Sequence, residues 1–324
     1  MKQTQVAYIG IDVSKETLDI DAGVLGAMKI NNAPAEIRKA LKAIARKVGA
    51  DATPRFCFES TGPYGNALAA QCHAAGLRCS VLNPYKVACF AKSVANAKTD
   101  RIDAALIRRY AEARRPEPAA APNKALAEVE KLVLTRDALV KCSVILRAVM
   151  DTLRGSAGAR VMEGVIAFLE RKADKYKELI EAAVEKDEEA AGLVKALRKV
   201  KGVGALTAAA VAAGMPEIGT LGRRKAAALA GLAPYVRESG MYKGMARIGG
   251  GRKRVRTALF MPATVAIQHD PMMKALHQRE IAKGKPYKVA LTAAMRRLLC
   301  RLESVAKEHL AKRGQEPKGL SMNN

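Results

Sequence analysis

The near-continuous apolar run Val6-Ala7-Tyr8-Ile9-Gly10-Ile11 is the clearest structural signal at the start of the chain, and Asp12 follows it directly. An unbroken run of this kind is typical of a central strand that is buried on both faces. Residues 17–22 alternate between apolar and polar side chains, and residues 27–30 form a shorter apolar pattern. Since only residues 12–16 separate the first two patterns, we expect a hairpin and a meander of three strands.

Helical and strand patterns alternate after this meander. They predict helix over 35–48, strand over 55–59, helix over 64–75, strand over 78–82, and a helix from Pro84 whose charged part spans Ala97 to Ala113. This order predicts an α/β domain with a mixed sheet and helices packed on it. Ribonuclease-H-like nucleases and one half of the actin and sugar-kinase ATPases share the order. The kinases hold phosphate on a glycine-rich hairpin, and the lack of glycine in residues 13–16 disfavours them.

The later two-thirds of the chain are rich in Ala, Leu, Lys and Arg, which favours an all-α second part. A Pro/Ala-rich segment at 115–122 predicts a linker and a domain boundary. Residues 124–199 read as a helical connector, and a dimerising coiled coil is the alternative, with heptads that are not strict. A glycine-punctuated helical region begins at about residue 200, and the polar tail from residue 314 is predicted to be disordered.

The chain of 324 residues carries 56 Lys and Arg against 31 Asp and Glu, a formal net charge of +25. Self-repulsion on this scale is tolerable when a polyanion neutralises it, and nucleic acid is the first candidate. An acidic membrane surface is the second candidate, yet no apolar run is long enough for a transmembrane helix. The N-terminus lacks the apolar core of a signal peptide, so we expect a cytoplasmic protein with no membrane partner.

Four acidic residues in this acid-poor chain form a candidate catalytic site. Asp12 follows the first strand and Glu59 ends the fourth, and catalytic groups collect at such strand ends. Asp100 and Asp103 lie three apart near a helix start, so their side chains leave one face. Converging carboxylates repel one another unless cations lie among them, and hard oxygen ligands select Mg²⁺ or Mn²⁺. Each acid has a structural alternative: a turn residue, a lysine partner, a helix N-cap and a first-turn acid, respectively.

Basic, glycine-rich segments dominate the C-terminal region. The turn at Lys201, Gly202 and Gly204 precedes a helix start and predicts either a clamp for backbone phosphate or an ordinary helix–helix turn. Residues 231–256 form a long loop whose length, glycine content and positive charge favour phosphate binding. Its candidate nucleic-acid contacts are Arg237, Lys243, Arg247, Arg252, Lys253, Arg254 and Arg256. Ser239, in the same loop, is a candidate nucleophile, and the alternative is a simple Ser-Gly turn.

Taken in order, these segments resemble a known family. The motifs that carry the resemblance are Gly10–Lys15, Phe58–Gly62, Ala97–Ala104, Gly202–Gly204, Gly231–Pro234, Ser239-Gly240, Ile248–Arg252, Val255-Arg256 and Lys285–Leu291. The chain resembles the DEDD transposases of the IS-one-ten family of insertion sequences, relatives of the Piv-type DNA invertases. The resemblance implies an RNase-H-like (RuvC-like) domain at 1–117, a helical connector at 118–198, a mainly helical transposase domain at 199–313 and a tail at 314–324.

The resemblance also implies a chemistry and a set of partners. The D-E-D-D metal ligands would be Asp12, Glu59, Asp100 and Asp103, and Ser239 would form a covalent phosphoserine link to cleaved DNA. Some members are guided by a structured (bridge) RNA and assemble as tetramers, so we expect DNA, a guide RNA and further copies of the chain as partners. We therefore expect a Mg²⁺-dependent DNA recombinase. The alternatives are a hydrolytic RuvC-like nuclease, such as a junction resolvase, and a non-catalytic nucleic-acid-binding scaffold.

Overall fold

The computed structural model describes residues 5–49, 52–59, 63–94, 103–119, 121, 123–153, 155–236, 238–239, 242–244 and 246–314. The chain divides into two compact units, residues 1–121 and 122–324. Each unit has its own hydrophobic core. Among the helices described, none combines the length and the apolar character that crossing a lipid bilayer requires.

The first unit is built on a five-stranded mixed sheet. Its elements are β1 (Gln5–Val13), β2 (Thr17–Asp21), β3 (Ala27–Asn31), α1 (Pro34–Val48), β4 (Ala52–Glu59), α2 (Pro63–Ala74), β5 (Arg78–Leu82), α3 (Pro84–Val94) and α4 (Ala104–Arg114). The strand order is β3-β2-β1-β4-β5, with β1, β4 and β5 parallel and the β1-β2-β3 meander antiparallel. The predicted α/β class is confirmed, and the mixed sheet is consistent with an RNase-H-like domain.

The alternation of side chains along β1 separates the two faces of this sheet. Ile9 and Ile11 belong to a core that also contains side chains of α1 and α2. Gly10 and Asp12 therefore belong to the opposite face. Helix α4 packs against β1 on that face and forms a second apolar cluster with Cys57 of β4. The candidate acids at the strand ends, Asp12 and Glu59, are therefore expected on the α4 face.

The single helix predicted from Pro84 through Ala113 is wrong. Helix α3 ends at Val94, and Asp103 has an extended backbone (φ −105°, ψ 169°) immediately before α4 begins. The helix start expected near Asp100 and Asp103 is observed directly after Asp103. A side chain that caps a helix start is what fixes the beginning of α4.

The Pro/Ala-rich segment after α4 is anchored to the sheet. The buried Arg55 guanidinium donates to the Pro116 carbonyl at 2.8 Å, and the Ser80 hydroxyl donates to the Glu117 carbonyl at 2.8 Å. The Ala119 N–H donates to a β5 carbonyl at 2.7 Å. These bonds hold the segment to the sheet as far as Ala119, and the boundary between the compact units falls at 121–122, at the end of the segment.

The second unit is mainly helical, with short β-ribbons. Its elements are α5 (Lys124–Met150), α6 (Ala157–Glu185), α7 (Glu188–Leu197), α8 (Ala205–Gly214), α9 (Arg223–Leu229), β6 (Pro234–Tyr235), β7 (Glu238–Ser239), β8 (Tyr242–Lys243), β9 (Arg247–Ile248), α10 (Lys253–Ala258), α11 (Phe260–His269), α12 (Pro271–Ala282) and α13 (Tyr287–Lys312). Helices α5 and α6 pack along each other, and buried side chains from α5 to α13 share one core. The division of this unit into connector and transposase domain stays a prediction.

Candidate active site

Asp12 and Glu59 are neighbours at the carboxyl edge of the parallel strands. Strands β1 and β4 pair with Ile11 opposite Phe58, so Asp12 and Glu59 are the next residues along the two strands. Neighbouring strands lie about 4.8 Å apart, and residues in register on parallel strands project from the same face. Both acids are partly buried. The structure therefore brings these two predicted site residues together.

The environment of this pair raises the pKa of the Glu59 carboxyl above its ordinary value. Burial, which disfavours the ionised form, is the larger cause, and the negative charge of Asp12 is the second. A divalent cation bound between the two carboxylates would oppose both effects, because its charge favours the ionised acids. The donor set and its electrostatics thus fit a hard cation such as Mg²⁺ or Mn²⁺.

Helix α4 lies directly on β1 at Gly10. A Cβ atom at this position would lie 2.0 Å from the Ala104 carbonyl oxygen and 2.6 Å from the Arg108 backbone nitrogen. Only glycine permits such a close approach of the helix and strand backbones. Since Gly10 and Asp12 share a face of β1, the start of α4 lies on the face that carries Asp12. The sequence analysis missed this role, although a glycine inside a buried strand is its signal.

Arg108 fixes α4 at the same point of the sheet. Its Nε lies 3.1 Å from a carboxylate oxygen of Asp21, and its Nη1 pairs with Glu112 one helical turn further on. Asp21 is the β2 residue opposite Gly10 of β1. The ion pair and the close backbone contact therefore hold the start of α4 from two sides.

Asp103 is the N-cap of α4. Its Oδ1 accepts the Leu106 N–H at 2.7 Å. It directly precedes Ala104, the residue that covers Gly10, so it lies on the α4 side of the sheet. The capping role expected for Asp100 is therefore observed at Asp103. A carboxylate has two oxygens, so a cap through one of them is compatible with a metal bond through the other.

Asp100 lies outside the described residues. Within the part of the chain that the structure describes, no group of three or more His, Cys, Asp or Glu side chains is placed to hold a metal ion. The structure thus joins Asp12 to Glu59 and places Asp103 on the same side of the sheet. The four-acid site stays a prediction.

Ser239 lies in an antiparallel ribbon rather than in an irregular loop. Strand β6 pairs with β9, with Pro234 opposite Ile248, and β7 pairs with β8, with Ser239 opposite Tyr242. In the sequence, β7 and β8 lie between β6 and β9, so the β7–β8 pair is nested within the β6–β9 pair. Only two residues separate Ser239 from Tyr242 in the sequence, so Ser239 lies at the distal end of the ribbon. Its side chain lies outside the described part of the structure.

Two backbone segments cross at the base of this ribbon. A Cβ atom at Gly231 would lie 2.2 Å from the Gly250 carbonyl oxygen, and one at Gly251 would lie 2.2 Å from the Gly231 nitrogen. Gly231 and Gly251 have positive φ angles of 66° and 64°. The Arg256 guanidinium donates to the carbonyls of Ala230, Gly231 and Gly250 at 3.0–3.3 Å. The glycine-rich motif therefore closes the base of the ribbon.

Arg252 attaches this base to the turn after α8. Its guanidinium donates two hydrogen bonds to the Glu217 carboxylate, at 2.6 and 2.7 Å, and one to the Gly214 carbonyl at 3.1 Å. Arg254 pairs with Glu130 of α5 at 3.1 Å. Three of the predicted nucleic-acid contacts, counting Arg256, thus have partners within the protein.

Four other residues of this region are predicted nucleic-acid contacts: Arg237, Lys243, Arg247 and Lys253. Arg247 and Lys253 are exposed to solvent. Arg237 and the side chain of Lys243 lie outside the described residues. The exposed pair remains available for a phosphate, whereas the bonded arginines have a structural task.

The turn before α8 has a packing reason for its glycine. Gly202 has a φ of 89°, and a Cβ atom there would lie 3.1 Å from the Pro262 carbonyl of α11. Gly204 is the N-cap of α8, and Lys201 is exposed. The turn is therefore both a tight helix–helix connection and a place where a lysine reaches solvent.

The first unit has a mixed α/β sheet with adjacent acids at its carboxyl edge, and the chain has a net charge of +25, a combination that is consistent with a protein that acts on nucleic acid. A model described as Transposase, of the DEDD IS110 type, matches residues 9–153, and a model described as Transposase IS116/IS110/IS902 family matches residues 194–278. No curated protein was found to match the chain. The chain belongs to the IS110 (IS-one-ten) family of DEDD transposases, so the predicted resemblance is confirmed and the activity is that of an enzyme that cuts and rejoins DNA.

Proposed function

We propose that the chain cleaves and rejoins DNA strands with Ser239 as the nucleophile, at a divalent metal centre. The proposed metal ligands are Asp12, Glu59, Asp100 and Asp103. Family membership supports DNA strand transfer as the overall activity. The single observation that carries the metal centre is the pairing of β1 with β4, which puts the first two acids side by side on the α4 face.

A bound Mg²⁺ or Mn²⁺ would neutralise charge on the reacting phosphate and favour the ionised form of an attacking hydroxyl. The residues of the first unit would supply its oxygen ligands. The Gly10 contact and the Arg108 ion pair hold the start of α4, and with it Asp103, in a fixed place. Such rigid support is what a catalytic constellation needs for a reproducible geometry.

In the proposed step, the Ser239 Oγ forms a bond to phosphorus while a bond from phosphorus to a DNA oxygen breaks. The serine hydroxyl loses its proton, and the leaving DNA oxygen takes one up. A DNA hydroxyl then attacks the phosphoserine in the reverse exchange, so the ester is conserved for rejoining. This requires the serine to meet the acids, within one chain or between copies in an assembly.

We also propose a structured guide RNA and a dimeric or tetrameric assembly as partners. The net charge of +25 supports binding to more than one nucleic-acid strand. RNA that copurifies with the protein and resists a high-salt wash, together with the solution mass of the complex, tests both parts.

Ser239→Ala is the sharpest test of the nucleophile. The variant should lose strand cleavage, because no other group replaces the Ser239 Oγ as the nucleophile. It should also lose the covalent protein–DNA adduct that denaturing gels detect. Ser156→Ala, at the exposed start of α6, is the matched control and should keep both. Cleavage that persists in Ser239→Ala would identify a hydrolytic nuclease instead.

Asp12→Asn tests the metal centre in the same assay. It should lose cleavage because an amide is a weaker ligand than a carboxylate for a hard cation. Asp19→Asn is its control, since Asp19 lies opposite Asp12 on β2 but forms an ion pair with Lys29 at 3.3 Å. Unchanged DNA transactions in both Asp12→Asn and Ser239→Ala would leave only the scaffold function.

A further inference from the structure

A basic cleft opens in the second unit, lined by residues outside the β-ribbon. It has a volume of about 340 Å³. Its walls come from the α7–α8 turn, from the first residue of α9 and from one side of α13. The cationic residues that line it are Lys199, Lys201, Arg223, Arg297 and Arg301, and no acidic residue is among the lining residues. The sequence analysis had singled out Lys201 alone from this set.

Glu303 supports the cleft but is not one of its lining residues. The side chain is buried, with its residue 2% exposed, and its two carboxylate oxygens accept the N–H groups of Gly219 and Gly222 at 2.8 and 2.7 Å. Gly222 directly precedes Arg223, so this carboxylate fixes the start of α9 against α13, the helix that carries Arg297. The cations are therefore mounted on a rigid frame, and the charge of Glu303 is engaged by backbone donors.

The positive charge of the cleft is only partly compensated. Arg301 pairs with Asp270 at 2.5 Å. The other four lining cations have no ion-pair partner among the described residues. Cations that converge in this way repel one another unless an anion lies among them. The cleft is thus arranged for a ligand of negative charge.

Cys300 lines the same cleft, beside Arg223 and Arg297. Burial raises the pKa of its thiol, against the opposing influence of Arg296, Arg223 and Arg297. The thiol stays neutral at pH 7, since both the ordinary and the raised value lie above it. It therefore does not offset the positive charge around it.

We propose that this cleft binds the phosphodiester backbone of a nucleic-acid strand. Guanidinium groups donate paired hydrogen bonds to phosphate oxygens, and ammonium groups add charge. None of the described residues that line the cleft is aromatic, so these residues offer bases no surface to stack on, and contacts to phosphate are independent of sequence. The proposal rests on the proposed function only in requiring that the chain binds nucleic acid.

The test compares two double variants of the full chain that remove the same charge. Arg223→Gln with Arg297→Gln removes two cations from the cleft, and Lys288→Gln with Lys312→Gln removes two exposed cations of α13 that do not line it. Binding of labelled duplex DNA and of labelled structured RNA is measured by fluorescence anisotropy in EDTA over a range of salt. Thermal melts confirm that both variants fold.

The cleft variant should bind at least one of the two probes roughly tenfold more weakly at 0.1 M salt. Where duplex DNA is the affected probe, its salt slope should fall by about 1.8 for two lost phosphate contacts. The probe that is affected identifies the strand as DNA or RNA. Equal losses in the cleft variant and its control would overturn the proposal, because diffuse charge would then explain them. Repeating the comparison in the Ser239→Ala background should give the same difference, so failure of the serine chemistry does not affect the result.

Discussion

Charged side chains have opposite surroundings at the carboxyl edge of the sheet and at the base of the β-ribbon. At the sheet edge, Glu59 is half-buried beside Asp12, and both burial and the like charge disfavour its ionised form. At the ribbon base, Arg252 donates two hydrogen bonds to Glu217, and Arg256 bonds to three backbone carbonyls. The first arrangement lowers the stability of the folded protein, whereas the second raises it.

This difference distinguishes the proposed catalytic residues from residues that support the fold. A carboxyl group with a shifted pKa in a fixed place is typical of a catalytic site, because catalytic groups need pKa values that their surroundings have adjusted. Arginines whose donors are used within the protein are structural, however suggestive a basic motif looks in the sequence.

Glu59→Gln should have the largest effect, and in two directions. Strand cleavage should fall on the order of a hundredfold or more because a proposed charged ligand is lost. Stability without metal should rise at pH 7, since the pKa of Glu59 is raised and its ionised form is disfavoured in the folded state.

The pH dependence of that gain has a definite sign. The folded protein binds the Glu59 proton more readily than the unfolded chain, so stability falls as pH rises from the ordinary value of 4.5 through the raised pKa. The advantage of Glu59→Gln should therefore be present at pH 7 and vanish below pH 4.5 in urea unfolding. A variant that is less stable at pH 7 would show that Glu59 is a supporting residue.

Gly231→Ala should destabilise the second unit by about 3 kcal/mol. The added methyl would meet the Gly250 carbonyl oxygen at 2.2 Å at a φ of 66°, so the backbone crossing cannot form. Gly249→Ala is the matched control, because a Cβ atom there meets nothing within 4 Å. Denaturant unfolding measures both, and equal stability of the two variants would contradict the crossing.

Arg252→Met should cost about 1–2 kcal/mol of stability, discounted for the partial exposure of the pair. Arg252→Lys should not restore it, since an ammonium cannot reproduce the paired hydrogen bonds to Glu217. Lys253→Gln, at an exposed neighbour, should leave unfolding unchanged. If Arg252→Met weakened DNA binding and left stability intact, Arg252 would belong with the functional residues.

Asp103 is both the N-cap of α4 and a proposed metal ligand, and its variants should have the smallest effect on stability. Asp103→Ala should cost about 1 kcal/mol because the cap on Leu106 is lost, and Asp103→Asn should cost little because asparagine also caps. Both should lose cleavage if the carboxylate holds the metal. Full activity in Asp103→Asn would make the residue a cap alone.

The strands of the sheet were predictable from the sequence, because strand patterns are local. The unbroken apolar run before Asp12 and the alternation in residues 17–22 specify strands without help from the rest of the chain. A helix start near Asp100 and Asp103 was predictable, but which of the two acids caps α4 depends on how the helix packs on Gly10, a contact between distant segments. The sequence analysis grouped all the basic residues of the ribbon together, since a sequence shows a charge but not its partner.

The order of residues alone determined the α/β class, the strongly basic character of the chain, the positions of the acids at strand ends and the family to which it belongs. Tertiary structure decided that Asp12 and Glu59 lie side by side, because strand register is set by pairing between distant segments. It also decided which arginines are engaged within the fold and which cations line an open cleft, because hydrogen-bond partners come from segments far apart in the chain.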